Sequence, residues 1–132
     1  RQMIEFFHGY TYSGHPMPTA AAHAVLDIFE EEQMVDRAAA LEPILENAIH
    51  ALKGLPSILD IRNCGLAAAI DLEPLKDQPG LRGMRILEKC IENGVLVRIS
   101  GDGVVVCPPF ISTPEEVENL VATLGKVIQQ LA

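Results

Sequence analysis

The sequence predicts an α+β domain, a two-layer sandwich in which helices cover one face of a mainly antiparallel sheet of about four strands. Two observations favour this fold class. Several stretches repeat apolar residues every three or four positions, which is typical of helices, and short runs rich in Ile, Leu, Val and Ala lie between them, which is typical of strands. The chain has 132 residues, 48% of them hydrophobic, so we expect one compact domain with a sizeable core.

Two helices are predicted in the first half of the chain. The first begins at about Pro18, and the second spans Met34–Lys53 until Gly54 and Pro56 end it. Pro43 is expected to kink this second helix or to mark its first turn. The inner face of the second helix is predicted to consist of Val35, Ala38, Leu41, Leu45, Ala48 and Leu52.

Two pairs of short strands are predicted after these helices. Ser57–Cys64 and Leu66–Leu72 are expected to pair in antiparallel fashion, with a bend or bulge at the glycine between them. Further along, Gly94–Ile99 and Val104–Cys107 are separated by the tight-turn sequence Gly101-Asp102-Gly103. The two pairs together would supply the four strands of the sheet.

Two further helices are predicted before and after the second strand pair. The inner face of the earlier one is expected to consist of Leu81, Met84, Leu87 and Ile91, and Asn93-Gly94 should end it. The last helix begins with Thr113 as its N-cap, Pro114 in its first turn and Glu116 completing a capping box. Its buried stripe is predicted to consist of Val117, Leu120, Val121, Leu124, Ile128 and Leu131.

The charge and composition argue against several classes of function. With 10 Lys and Arg against 18 Asp and Glu, the net charge is −8, which does not favour binding to nucleic acid or to an anionic membrane. The apolar runs are too short for a membrane-spanning helix. Because the first residue is Arg and no intact secretory signal follows, the chain is expected to start inside a longer, cytoplasmic protein.

The three cysteines, Cys64, Cys90 and Cys107, are far apart in the sequence and include no Cys-x-x-Cys pair. A zinc or thioredoxin-like site is therefore not expected, and no metal ligand is assigned. An odd number of cysteines in an apolar setting predicts reduced, buried thiols in a cytosolic protein.

Residues 1–16 differ from the rest of the chain and are predicted to form an arm or loop separate from a domain at 17–132. They hold four of the six Phe and Tyr residues, together with glycines and Pro16. Thr11 and Ser13 supply hydroxyl groups, and the N-terminus of the following helix would favour a phosphate. From the residues alone, two interpretations stay open: an anion-binding loop, or an aromatic loop packed on a neighbouring domain.

The run His8-Gly9-Tyr10-Thr11-Tyr12-Ser13-Gly14-His15-Pro16 resembles the H-G-x-T-Y-S-[GA]-H-P segment of class III pyridoxal-phosphate aminotransferases, which are fold-type I enzymes. Ala38–Lys53, Asp60–Leu66 and Gly94–Phe110 resemble the family's small C-terminal domain, in the same order. The resemblance covers essentially the whole chain. It implies a transaminase that uses pyridoxal 5'-phosphate and forms a homodimer or higher oligomer with shared active sites.

The resemblance implies roles for two residues. Thr11 matches the family's threonine that donates a hydrogen bond to the cofactor phosphate of the other subunit. Arg98 matches the arginine that binds a substrate carboxylate in omega-amino-acid:pyruvate transaminases. Relatives that act on 4-aminobutyrate or ornithine carry this arginine on the following strand, which here reads Val104-Val105-Val106. The resemblance therefore favours transfer of an amino group from an omega-amino acid or amine to pyruvate.

No catalytic residue is assigned within this chain. The family's Schiff-base lysine belongs to the large domain, and none of the four lysines here matches its position, so the 132-residue chain alone is expected to be inactive. His8 and His15 are expected to form structural hydrogen bonds, and Arg62 a structural ion pair. Two alternatives remain: a stand-alone α+β binding or dimerisation module, and another class III aminotransferase or an aminomutase.

Overall fold

The structure is a computed structural model that describes residues 9–131. The chain divides into two compact units between Met34 and Val35. In chain order, the elements are α1 (Pro16–Glu31), α2 (Met34–His50), β1 (Ile58–Cys64), β2 (Ala67–Leu72), α3 (Leu81–Glu92), β3 (Arg98–Ser100), β4 (Gly103–Val106) and α4 (Pro114–Gln130). Four helices and a four-stranded antiparallel sheet confirm the predicted α+β class. The structural hydrogen bond expected of His8 lies outside the described residues. The division of the chain into an arm at residues 1–16 and a domain at residues 17–132 stays a prediction.

The first unit contains a turn followed by α1, which begins at Pro16 rather than at Pro18. Proline suits this position because its φ is already helical and the first turn needs no N–H. All residues of α1 are exposed. None of the helices within residues 9–131 is long and apolar enough to cross a lipid bilayer.

The sheet of the second unit has the strand order β1-β2-β4-β3, and all three pairings are antiparallel. Of the predicted bend or bulge at Gly65, the bulge is wrong, and the chain turns there instead. Cys64 pairs directly with Ala67, so Gly65 lies in a two-residue turn that its φ of 55° permits. The irregularity in the register lies instead between Ile58 and Asp60.

Strand β3 is shorter than the predicted Gly94–Ile99. The N–H groups of Gly94 and Val95 donate to the carbonyls of Ile91 and Cys90, at 3.0 and 2.9 Å, which ties this segment to the end of α3. Leu96 and Val97 lie outside the strand as well, and β3 pairs with β4 through three residues, Arg98–Ser100. The positive φ of Gly94, 77°, confirms the predicted left-handed end of α3.

The core lies between α2, α3 and α4 and one face of the sheet. On this face, β2 contributes Ala68, Ile70 and Leu72, and β4 contributes Val104 and Val106, all of them buried. Helix α2 contributes Leu41, Leu45 and Ile49.

Helix α2 differs from its prediction at both ends. Val35 is 69% exposed rather than on the inner face, whereas its neighbour Met34 in the same turn is buried. The helix ends at His50, and residues 51–54 form turns instead of continuing to Lys53. Pro43 lies inside the helix and not in its first turn.

The predicted inner face of α3 is wrong at two of its four positions, while Leu81 and Leu87 are half-buried. The buried residues are Arg82, Gly83, Ile86 and Cys90, whereas Met84 is 46% and Ile91 is 55% exposed. The cause is a close approach of backbones. A Cβ atom at Gly83 would lie 2.2 Å from the carbonyl oxygen of Gly101, so the glycine side of the helix packs on the turn between β3 and β4.

The expectation of buried thiols holds for Cys90 alone. Cys64 is the last residue of β1 and Cys107 directly follows β4, and both are exposed. Burial raises the pKa of the Cys90 thiol and so disfavours its reactive thiolate form.

Helix α4 follows its prediction closely. Thr113 is the N-cap, Pro114 begins the helix, and the capping box with Glu116 is complete. Of the predicted stripe, Val117, Val121, Leu124 and Ile128 are buried, and Leu120 and Leu131 are half-buried. Gly125 and Val127 are buried in addition.

Candidate functional site

The sheet face that points away from α2, α3 and α4, called the open face here, carries one row of residues across all four strands. Strand pairing places Arg62 beside Ala69, Ala69 beside Val105, and Val105 beside Arg98. Because side chains alternate along a strand, and Ala68, Ile70, Val104 and Val106 face the core, this row faces the other side. Two arginines therefore stand at opposite edges of the open face.

Arg62 is already paired with carboxylates. Its Nη2 lies 3.1 Å from Oδ1 of Asp71, and its Nη1 contacts Oδ2 of Asp71 and lies 3.1 Å from Oδ2 of Asp60. These contacts raise the pKa of Arg62, and the hydrogen bond from Arg62 lowers the pKa of Asp71. The expectation of a structural ion pair at Arg62 is confirmed, and its charge is compensated.

Arg98 lies in a different environment. It is exposed, and no carboxylate within residues 9–131 lies at ion-pair distance from it. A cleft of about 730 Å³ beside it is lined mainly by apolar side chains, among them Leu96 and Val105. A guanidinium group next to apolar walls can bind a carboxylate through two parallel hydrogen bonds and leave the apolar part of the same molecule in the cleft.

The hairpin that carries Arg98 is fixed by Asp102, for which the sequence predicts only a place in a tight turn. The carboxylate of Asp102 accepts the N–H of Gly80 at 2.6 Å and the N–H of Gly83 at 3.2 Å, which joins the β3–β4 turn to the start of α3. The signal in the sequence was the Gly-Asp-Gly turn, but nothing in it showed which N–H groups the aspartate would bind.

Thr11 lies in an exposed turn at residues 11–14, in the first unit. The turn is held by backbone hydrogen bonds from Ser13 N–H to Tyr10 O at 3.0 Å and from His15 N–H to Tyr12 O at 3.1 Å. An exposed hydroxyl on such a turn is compatible with a phosphate oxygen as its acceptor. The predicted packing of Tyr10 and Tyr12 at a subunit interface stays a prediction.

The N-terminus of α1 contributes less to an anion site than its position suggested. Pro16 and Pro18 have no N–H groups. The N–H of Met17 donates to Nδ1 of His15 at 3.3 Å, and the N–H of Thr19 donates to the carbonyl of His15 at 3.1 Å. The first turn of α1 is thus satisfied internally, and His15 has the structural hydrogen-bonding role that was expected.

Comparison with known proteins gives consistent results. The sequence model of the class III aminotransferase family matches residues 1–128. The chain is 40% identical to an omega-aminotransferase of Caulobacter vibrioides over 97% of this chain and 29% of the relative. It is 40% identical to a beta-alanine–pyruvate aminotransferase of Pseudomonas aeruginosa over 98% of this chain and 29% of the relative. A mitochondrial gamma-aminobutyrate transaminase of Solanum lycopersicum is 35% identical over 95% of this chain and 25% of the relative.

Solved structures of similar proteins agree with the fold. A thermostable omega transaminase mutant from Pseudomonas jessenii superposes with a TM-score of 0.87 at 33% identity, over 96% of this chain and 30% of that one. An adenosylmethionine-8-amino-7-oxononanoate aminotransferase from Methanocaldococcus jannaschii gives a TM-score of 0.84 at 29% identity, again over 96% and 30%. The chain spans less than a third of the length of these relatives.

Proposed function

Because the chain belongs to the class III aminotransferase family, we propose that the full-length protein is a transaminase that transfers an amino group from an omega-amino acid or an amine to pyruvate. Two relatives that are 40% identical to the chain support this choice of substrates. One is named an omega-aminotransferase and the other a beta-alanine–pyruvate aminotransferase. The gamma-aminobutyrate transaminases are more distant at 35% identity or below.

The observation that carries the proposal is the position of Arg98. It is the arginine of the open face without a carboxylate partner among residues 9–131, and it borders an apolar cleft. Strand β4, which reads Gly-Val-Val-Val, offers no arginine as an alternative. Arg98 would bind the carboxylate of pyruvate or of an amino acid donor, and the cleft would accept the apolar part of an amine.

The cofactor in this proposal is pyridoxal 5'-phosphate, which when bound supplies the electron-withdrawing ring that carries the amino group between substrates. The exposed hydroxyl of Thr11 would donate a hydrogen bond to the cofactor phosphate in the active site of a second subunit, so that each active site needs two chains. The protein would therefore act as a homodimer or a higher oligomer.

The direct test is alanine formation by the purified full-length protein. With pyruvate as acceptor, and beta-alanine or a simple amine as donor, we expect alanine to accumulate faster than glutamate forms from 4-aminobutyrate and 2-oxoglutarate. A preference for the second pair, or no turnover of any donor, would contradict the proposal. The 132-residue chain alone should form no alanine, because none of its lysines matches the family's catalytic position.

The role of Thr11 is tested by the retention of the cofactor. Thr11→Ala in the full-length protein removes the hydroxyl and should weaken cofactor binding by about tenfold or more, since a hydrogen bond to a charged group contributes roughly 1.5–3 kcal/mol. Thr11→Ser keeps the hydroxyl and is the matched control. Equal cofactor dissociation constants for wild type and Thr11→Ala would refute the assigned role.

A further inference from the structure

The β3–β4 turn and the start of α3 are joined by both oxygens of one carboxylate. Oδ2 of Asp102 accepts the N–H of Gly80, the N-cap residue of α3, and Oδ1 accepts the N–H of Gly83 in the first turn. Gly80 has no side chain with which to cap the helix, and its backbone is left-handed, with φ at 85°. Asp102 therefore performs, from 22 residues away in the sequence, the capping that a helix usually receives from its own first residues.

Helix α3 and the β3–β4 turn are packed too closely at this junction to move past each other. A Cβ atom at Gly83 would lie 2.2 Å from the carbonyl oxygen of Gly101 and 3.3 Å from Cα of Asp102. Backbone meets backbone here, with no flexible side chain between them to absorb a displacement. Helix α3 thus fixes the turn in position as well as in orientation.

This junction matters for Arg98 because β3 is a short edge strand that packs against α3, the helix to which Asp102 joins the turn. The strand is three residues long, lies at the edge of the sheet and pairs only with β4, from Arg98 opposite Val105 to Ser100 opposite Gly103. Asp102 follows Ser100 by two residues. A change in the geometry of the turn would therefore move β3 and the guanidinium group it carries.

We propose that Asp102 is a positioning residue for substrate recognition: its carboxylate clamps the β3–β4 hairpin to α3 and thereby holds Arg98 in the place where a substrate carboxylate binds. This inference rests on the proposed role of Arg98.

The kinetic test uses Asp102→Asn and Asp102→Ala in the full-length holoenzyme. For beta-alanine, KM should rise by about 10- to 100-fold, since displacement of a binding group by an ångström has effects of this order. For an amine without a carboxylate, kcat/KM should stay close to the wild-type value. Glu88→Gln removes one carboxylate from an exposed position of the same helix and is the matched control. Combined with Arg98→Ala, Asp102→Asn should add no further loss for beta-alanine, because both changes remove the same contact.

A second measurement does not depend on activity. Amide hydrogen exchange in residues 98–106 of the full-length protein should be faster in Asp102→Asn than in Glu88→Gln, because the turn loses its anchor. Unchanged exchange would overturn the clamp whatever the kinetics are. Equal losses of kcat/KM for the acid and the amine would overturn the positioning role and leave a general structural one.

The failure of this inference is distinguishable from the failure of the proposed function. If Arg98→Ala selectively weakens beta-alanine while the Asp102 variants do not, the inference is wrong and the proposed function stands. If the wild-type protein transfers no amino group, the proposed function is wrong, and the exchange experiment still decides whether Asp102 clamps the hairpin.

Discussion

Helices α3 and α4 pack against each other on the same face of the sheet, but their N-termini are capped in different ways. In α4, the hydroxyl of Thr113 accepts the N–H of Glu116 at 3.2 Å, and the carboxylate of Glu116 accepts the N–H of Thr113 at 2.8 Å. In α3, the two equivalent N–H groups both donate to Asp102, which belongs to the β3–β4 turn. One helix is capped by its own residues and the other by a distant part of the chain.

The buried faces of the two helices also differ, because α4 depends on its own sequence pattern and α3 on contacts with distant parts of the chain. Helix α4 buries its regular apolar stripe. Helix α3 buries Gly83, Ile86 and Cys90, together with Arg82, whose guanidinium donates to the carbonyls of Glu73 at 2.7 Å and Leu131 at 2.9 Å. The orientation of α3 is thus set by backbone contacts and hydrogen bonds of the surrounding fold, and that of α4 by its own apolar pattern.

The largest effect is expected where α3 meets the core. Ile86 is 1% exposed, so Ile86→Ala should lower the free energy of unfolding of the 132-residue chain by about 2–5 kcal/mol. Met84→Ala on the same helix is the matched control and should cost about 1 kcal/mol or less, because its side chain is half-exposed. Urea unfolding of both variants measures the difference. A greater loss at Met84 would mean that α3 is rotated from the orientation described.

The two buried helix glycines give the next comparison. Gly83→Ala forces a Cβ against the backbone of Gly101, and we expect a loss of about 3 kcal/mol in the free energy of unfolding, at the upper end of ordinary overpacking. At Gly125 in α4, the nearest atom is Cδ2 of Leu52, at 2.6 Å, and this side chain can move. Gly125→Ala should therefore be nearly neutral, because the gain of about 1 kcal/mol in helix propensity offsets the repacking. Equal losses would remove the distinction between the two helices.

The cap of α4 should have a smaller, local effect. Thr113→Ala leaves the N–H of Glu116 without its acceptor and should lower the free energy of unfolding by about 1 kcal/mol. Thr113→Ser keeps the hydroxyl and should restore most of this stability. If Thr113→Ser destabilised the chain as much as Thr113→Ala, the stability would depend on the methyl group rather than on the cap.

The smallest effect concerns the ion pair on the sheet, outside both helices. Arg62 lowers the pKa of Asp71, so the pair stabilises the folded chain above the unfolded-state pKa of about 3.9, and this stability is lost as the pH falls through the lower folded-state value. Asp71→Asn should thus be slightly destabilising at pH 7, and the difference from wild type should shrink in acid. A difference that is constant with pH would assign the effect to packing.

The contrast between the helices also explains what the sequence could predict. Thr113, Pro114 and Glu116 are neighbours, so the capping box was readable, and the resemblance pointed to Thr11 and Arg98 through continuous motifs. The role of Asp102 and the buried face of α3 depend on contacts between segments about 20 residues apart, which no periodicity records. The regular apolar stripe of α3 therefore predicts a buried face, although two of its four residues, Met84 and Ile91, are exposed.

The assignment of Arg98 is tested most directly by comparing it with the other arginine of the open face. In the full-length enzyme, Arg98→Ala and Arg62→Ala are each measured for kcat/KM with beta-alanine and with an amine that has no carboxylate. We expect Arg98→Ala to lose roughly 1.5–3 kcal/mol of binding to beta-alanine and little to the amine, because a bidentate contact to a charged group disappears. Arg62→Ala should not distinguish the two donors, since Asp60 and Asp71 already occupy that guanidinium. Equal losses for both donors in Arg98→Ala, or the same selectivity in Arg62→Ala, would contradict the assignment.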